Sequence, residues 1–165
     1  MTKILRRCIL LSTTLITFFT LTSHAIALTR SEPVPLYGSY TRILDREKQT
    51  FNGKINPNTR PAKQKEEFFT VCDASGCVAH TPNLYTPPGA PKYIDYHWVN
   101  NRWELKADHL FNCNDGSKVK STLVEFFKSN GDGSFSGERS IKIESPGCPK
   151  EGPGVYRISF KLIPN

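Results

Sequence analysis

Tyr93-Ile94-Asp95-Tyr96-His97-Trp98-Val99-Asn100-Asn101-Arg102-Trp103-Glu104-Leu105-Lys106-Ala107-Asp108 is the stretch that decides the fold. Asn100-Asn101 reads as a two-residue turn, because Asn tolerates positive φ. Folding about it sets Trp98 opposite Trp103, Tyr96 opposite Leu105 and Ile94 opposite Ala107 on one wholly apolar face. The other face sets His97 opposite Glu104 and Asp95 opposite Lys106. A slip of one residue would mix the two faces, so the pattern specifies the register along with the hairpin.

The same alternation runs outward in both directions. Phe68 to Cys72 and Cys77 to Thr81 form a second hairpin. Val119 to Phe127 and Phe135 to Ile143 form a third, joined by Ser129-Asn130-Gly131-Asp132-Gly133. Tyr156, Ile158, Phe160 and Leu162 share one face of a last strand, with Arg157, Ser159 and Lys161 on the other. Leu36 to Leu44 supplies a first strand, with Gly38 near its start. No long stretch has helical periodicity, and the 12 Pro and 11 Gly interrupt the apolar runs. The reading is all-β, an antiparallel meander of about eight strands. Closure into a small up-and-down barrel buries one face and removes the edges, and a two-sheet sandwich is the alternative. Residues 46–65 break the pattern and read as a long, basic, poorly ordered loop; Pro82 to Pro91 is a second, Pro-rich connection.

The 165-residue chain opens on a cationic stretch, Lys3, Arg6 and Arg7, followed by an apolar run from Ile9 to Thr22 and the small-x-small site Ala25-Ile26-Ala27. This reads as a bacterial secretory signal over residues 1–27, cleaved near Ala27, leaving a single domain over residues 28–165 with no membrane span. Cys8 precedes the apolar run and leaves with the signal. The destination is the periplasm or the exterior.

Four cysteines remain, Cys72, Cys77, Cys113 and Cys148. An even count in an oxidising compartment reads as two disulfides, for which three connectivities exist. The favoured pairing is Cys72–Cys77, which brackets the turn Asp73-Ala74-Ser75-Gly76, with Cys113–Cys148. Neither spacing is that of a zinc knuckle.

The chemistry of known catalytic sets is absent. His109 stands four residues before Cys113, but a bridged cysteine is no nucleophile. No Gly-x-Ser-x-Gly elbow occurs. His80, His97 and His109 could hold zinc only if their strands converged. A calcium-loop reading of Asn130 to Ser136 puts Lys128 and Arg139 where acids belong. Glu66, Glu67, Glu104 and Glu125 are available for glycoside chemistry, and nothing in the sequence places two of them together. No catalytic residue, metal ligand or cofactor is therefore assigned.

Two features could bind. Tyr96, Trp98, Trp103, Tyr156 and Phe160 are expected on the inward side, as plain core or as the lining of a cavity. Residues 46–65 carry Arg46, Lys48, Lys54, Arg60, Lys63 and Lys65 against Glu47 alone. The chain as a whole holds 22 Lys and Arg and 15 Asp and Glu, so this segment concentrates the excess. Its one aromatic is Phe51, and export argues against nucleic acid; a protein or an anionic cell-envelope surface fits better.

Gly38-x-Tyr40-Thr41, Cys72-x-x-x-Gly76-Cys77-Val78-Ala79, Trp98, Trp103-x-Leu105, Cys113-Asn114-Asp115-Gly116, Phe135-Ser136-Gly137 and the late Cys148 resemble, in order and spacing, small exported disulfide-bonded proteins of mycobacteria and their relatives. The resemblance spans Leu36 to Ile163. Similar domains occur as free secreted proteins and near kinase-type receptors. It implies an exported all-β fold with disulfides and no chemistry. Phe111-Asn112-Cys113-Asn114-Asp115-Gly116 and Gly154-Val155-Tyr156-Arg157 are loosely similar to membrane-bound C-type lysozyme inhibitors. The expected function is an exported, non-enzymatic binding module for a protein or envelope ligand. A lysozyme-type inhibitor and a small-ligand carrier barrel are the alternatives.

Overall fold

Asn100 and Asn101 take φ of 51° and 60°. On this turn the strands Tyr93–Val99 and Arg102–Asn112 pair with Trp98 opposite Trp103 and His97 opposite Glu104. The computed structural model describes residues 32–57, 60, 62–84 and 88–165. The expected signal, residues 1–27 with Cys8, and residues 85–87 of the Pro-rich connection lie outside them.

Ten strands follow in chain order: β1 (Gly38–Leu44), β2 (Thr50–Phe51), β3 (Lys54–Ile55), β4 (Lys63–Asp73), β5 (Gly76–Pro82), β6 (Tyr93–Val99), β7 (Arg102–Asn112), β8 (Lys118–Ser129), β9 (Phe135–Cys148) and β10 (Gly152–Pro164). Eight of them run β1-β4-β5-β6-β7-β8-β9-β10 as antiparallel neighbours, and β1 pairs back onto β10. The sheet therefore closes into a barrel, which leaves none of those eight as an exposed edge. No helix among the described residues is long and apolar enough to cross a membrane.

The inward positions follow the period-two pattern. Tyr40, Leu44, Phe68, Ala79, Tyr96, Trp103, Leu105, Phe127, Phe135, Ile158, Phe160 and Leu162 form one buried core. Phe127 sits among the rings of Phe68, Tyr96, Phe135 and Phe160, with centroids 5.1–6.3 Å away. The barrel interior is thus filled by side chains. One end is covered by the segment before β1. Leu36 is fully buried, its N–H and carbonyl both bond Thr70 Oγ1, and Trp103 Nε1 donates to the Val34 carbonyl at 3.0 Å.

At the other end β7 to β10 outrun the barrel and form a second cluster. Ile143, Cys113 and Cys148 are its buried members, with Phe51, Phe111, Val119 and Tyr156 packed against them. Cys113 is joined to Cys148 there, and Cys72 to Cys77 across the β4–β5 hairpin.

Two expectations are corrected here. The described part of the 46–65 segment is not a loop throughout, and residues 58, 59 and 61 lie outside the described residues. It contains the β2–β3 hairpin, and its last three residues open β4. The reason is the length of β10. β1 covers only Phe160 to Pro164, so Thr50 and Phe51 take up the ladder opposite Arg157 and Tyr156. The β6–β7 ladder also stops at His97–Glu104. None of the expected pairs beyond it, Tyr96–Leu105, Asp95–Lys106 and Ile94–Ala107, is in the ladder; Asp95 stands opposite His80 of β5, whose Nδ1 lies 2.8 Å from its Oδ1.

Candidate functional site

The barrel interior holds charge as well as rings. Arg42 on β1 and Glu125 on β8 are each no more than 1% exposed. Arg42 Nη1 donates to Glu125 Oε1 at 2.6 Å, and the Tyr96 hydroxyl donates to the same oxygen at 2.8 Å. Arg139 Nε donates to Glu125 Oε2 at 2.5 Å. Glu66 completes the group: Arg42 Nη2 donates to its Oε2 at 2.9 Å, while Arg42 Nε lies 2.7 Å from Oε1 in ion-pair range but outside hydrogen-bond geometry. Two guanidiniums thus face two carboxylates, which is the arrangement that makes buried charge tolerable.

This brings Glu66 and Glu125 together as the sequence did not reveal, yet on an arginine. Burial alone would raise the Glu125 carboxyl, but Arg42 and Arg139 hold it down at about 2. Burial, then the Glu125 charge, pushes the Tyr96 hydroxyl up. Burial works against the Arg42 charge, but Glu125, Tyr96 and Glu66 raise its pKa overall. Glu125 therefore stays ionised near neutral pH and cannot serve as the general acid of glycoside chemistry. Its signal was present in the sequence. Arg42 lies in phase with Tyr40 and Leu44, and Glu125 with Leu123 and Phe127, charges at apolar-phase positions of two strands.

A cleft of about 660 Å³ opens where β1 ends and the chain leaves for β2. Leu44 N–H still bonds Ala62 O and Asp45 N–H bonds Ser159 O, and between those points the wall has a seam. Ile43, Leu44, Ala62, Gly137 and Phe160 supply its apolar lining, and Arg46, Arg60 and Lys161 its cations. Asp45 and Glu47 also line it, and Asp45 is engaged by Lys48 Nζ at 3.1 Å. Arg46 Nε is buried and has no hydrogen-bond partner among the described residues. Burial first, then the like charges of Arg139 and Arg60, lowers the Arg46 pKa.

The expected binding cations therefore divide. Arg46 and Arg60 meet at the cleft, Lys48 is turned to Asp45, Lys54 lies on exposed β3, and Lys63 and Lys65 stand on β4 opposite Ile43 and Thr41. The aromatics divide too. Tyr96, Trp103 and Phe160 are in the main core, with Trp98 against it, its ring 5.3 Å from that of Trp103. Tyr156 is in the second cluster, its ring 5.1 Å from Phe111 and 4.5 Å from Phe51, because β10 outruns the barrel at that point. His80, His97 and His109 do not converge, and no group of three metal-ligating side chains occurs among the described residues. Asp132 in the Gly-rich turn accepts from Ser134 N–H and Oγ at 2.9 and 2.6 Å, which makes it a turn residue.

A closed eight-stranded antiparallel barrel with a filled interior and a lateral cationic cleft is the class that the geometry defines. Residues 32–161 match the PknI serine/threonine-protein kinase sensor domain family, and the chain belongs to it. It is similar in fold to the monomer form of the M. tuberculosis PknI sensor domain, with a TM-score of 0.63 and 18% identity, over 82% of this chain and 90% of that one. None of the curated proteins matches the chain in sequence.

Proposed function

We propose that this chain is an exported, non-enzymatic sensing or binding module that takes a protein or anionic envelope ligand at the cleft beside β1. The observation that carries the reading is the cleft itself, where Arg46 and Arg60 from the cationic segment converge in a domain of a kinase sensor family. Two disulfides suit an exported domain. The filled barrel axis favours recognition at a surface cleft over carriage of a ligand inside the barrel.

The test is retention of fractionated cell-envelope extract on the immobilised chain, with Arg46→Gln/Arg60→Gln as comparison. The expected result is a retained component that salt elutes and that the double variant holds poorly. Hydrolysis of cell-wall substrates that persists through purification, or equal retention by the variant, overturns the reading.

A further inference from the structure

We infer that the cleft beside β1 is a site for an anionic amphiphile, an acidic head group on an apolar body. The inference rests on the binding-module reading and narrows it to one ligand chemistry. Three independent features of the site lead to it.

The first is an unmet donor. Arg46 Nε is buried and finds no acceptor among the described residues, and a buried donor left unpaired is destabilising unless an acceptor reaches it. The second is the gathering of like charge around Arg46. Arg46 feels Arg139 and Arg60 as like neighbours. Arg139 is already committed to Glu125, and Arg157 on the outer face of β10 to Glu138. Of the two carboxylates at the cleft, Asp45 is held by Lys48 and Glu47 lies exposed on the rim. An oxyanion entering beside Arg46 would meet its unpaired N–H, with Arg60 and Lys161 also lining the space. The third is shape and lining. About 660 Å³ exceeds what a bare phosphate or carboxylate fills, and Ile43, Leu44, Ala62 and Phe160 offer carbon where the rest of the ligand would lie. A peptide-sized acidic patch would need the charges spread over a face; here they gather in one cavity.

Carboxylate and phosphate heads share this chemistry, so the experiment separates them. Dodecanoate, dodecyl phosphate, inorganic phosphate and dodecyltrimethylammonium are titrated into the purified full chain by calorimetry. The expected result is binding of at least one of the two anionic amphiphiles, weakened by about tenfold or more in Arg46→Gln. Inorganic phosphate and the cationic amphiphile should not compete. Whichever anionic amphiphile binds more tightly identifies the head. Lys106→Gln, which removes a cation from outside the cleft, should bind as wild type, and thermal melting checks that each variant is folded. If Arg46→Gln does not fold, Arg46→Lys serves: it keeps the charge, loses the planar N–H array and should still weaken binding. Equal binding of the cationic amphiphile, unchanged affinity in the Arg46 variants, or no binding of either anionic amphiphile overturns the inference. In the last case, continued retention of an envelope component by wild type and not by Arg46→Gln/Arg60→Gln would leave the binding-module reading standing, so the two fail separately.

Discussion

The guanidinium carbon of Arg42 lies 4.3 Å from the centre of the Phe160 ring, over its face. The same Arg42 anchors the buried charge cluster, and the same Phe160 lines the cleft. The cluster and the cleft are therefore one packed unit, joined through a cation–π contact.

The pairing of Arg42 with Glu125 should show a large coupling. Removing one partner leaves the other charged and buried, so Arg42→Met or Glu125→Met alone should cost about 3–5 kcal/mol. Arg42→Met/Glu125→Met removes both, and Glu66 and Arg139, each partly exposed, can turn to solvent. The double variant should lose clearly less than the sum of the singles. Urea unfolding of the four proteins gives the cycle, and additive losses would show that the pair acts independently.

Acid should weaken the same pair. Glu125 has a folded pKa of about 2 against an ordinary 4.5. Because the folded value is the lower one, its contribution is complete above about pH 4.5 and is lost as the pH falls toward 2. Asp73, Asp115 and Asp132 are also lowered, by hydrogen bonds from Ser75, Ser117 and Ser134, and they act in the same direction from exposed turns. The urea midpoint of the wild type should fall more steeply across that window than that of Arg42→Met/Glu125→Met. Parallel curves would assign the acid sensitivity to the turns instead.

The second cluster should loosen without the barrel. Phe51 is the side chain that ties β2 to β10: its ring lies against Tyr156 and fills the space over Gly154, where an added Cβ would come within 2.5 Å of it. Phe51→Ala should free the Asn52 and Asn56 amides, which bond the Val155 and Gln49 carbonyls, and raise their hydrogen exchange by about tenfold or more. Amides of the β7–β8 ladder inside the barrel, around Trp103, Leu105, Glu125 and Phe127, should keep their protection. Equal acceleration in both places would mean that the hairpin is integral to the barrel.

The sequence was most legible where alternation and turn chemistry agreed. Trp98 opposite Trp103 follows from period two together with the Asn100-Asn101 turn, and the buried face of β10 at Ile158, Phe160 and Leu162 from period two. It was least legible where a strand changes partner. Asn52-Gly53, with φ of 48° and 77°, is the turn of the β2–β3 hairpin, and an Asn-Gly pair beside Phe51 is a hairpin signal in its own right. The surrounding cations and prolines mask it, because two-residue strands have no alternation to show. Arg46 and Arg60 stood out as charge; that they converge, and that the lysines beside them do not, depends on where β1 ends, which no local pattern states.

Gly137 should be the least replaceable residue of the cleft. A Cβ built there comes 2.2 Å from the Phe126 carbonyl, 2.6 Å from Phe127 Cβ and 2.8 Å from Phe160 Cζ. Its backbone is not left-handed, so the need for glycine is one of space, at the point where β8 and β10 close on β9. Gly137→Ala should cost about 3 kcal/mol in urea unfolding, at the upper end of overpacking losses. The shortest contact is with a backbone carbonyl held in the β8–β9 ladder, which cannot swing away as a ring can. Trimming the ring should therefore give little relief, and Gly137→Ala/Phe160→Leu should be no more stable than Gly137→Ala. Recovery toward wild-type stability in that double variant would show that the ring, and not the ladder, sets the requirement.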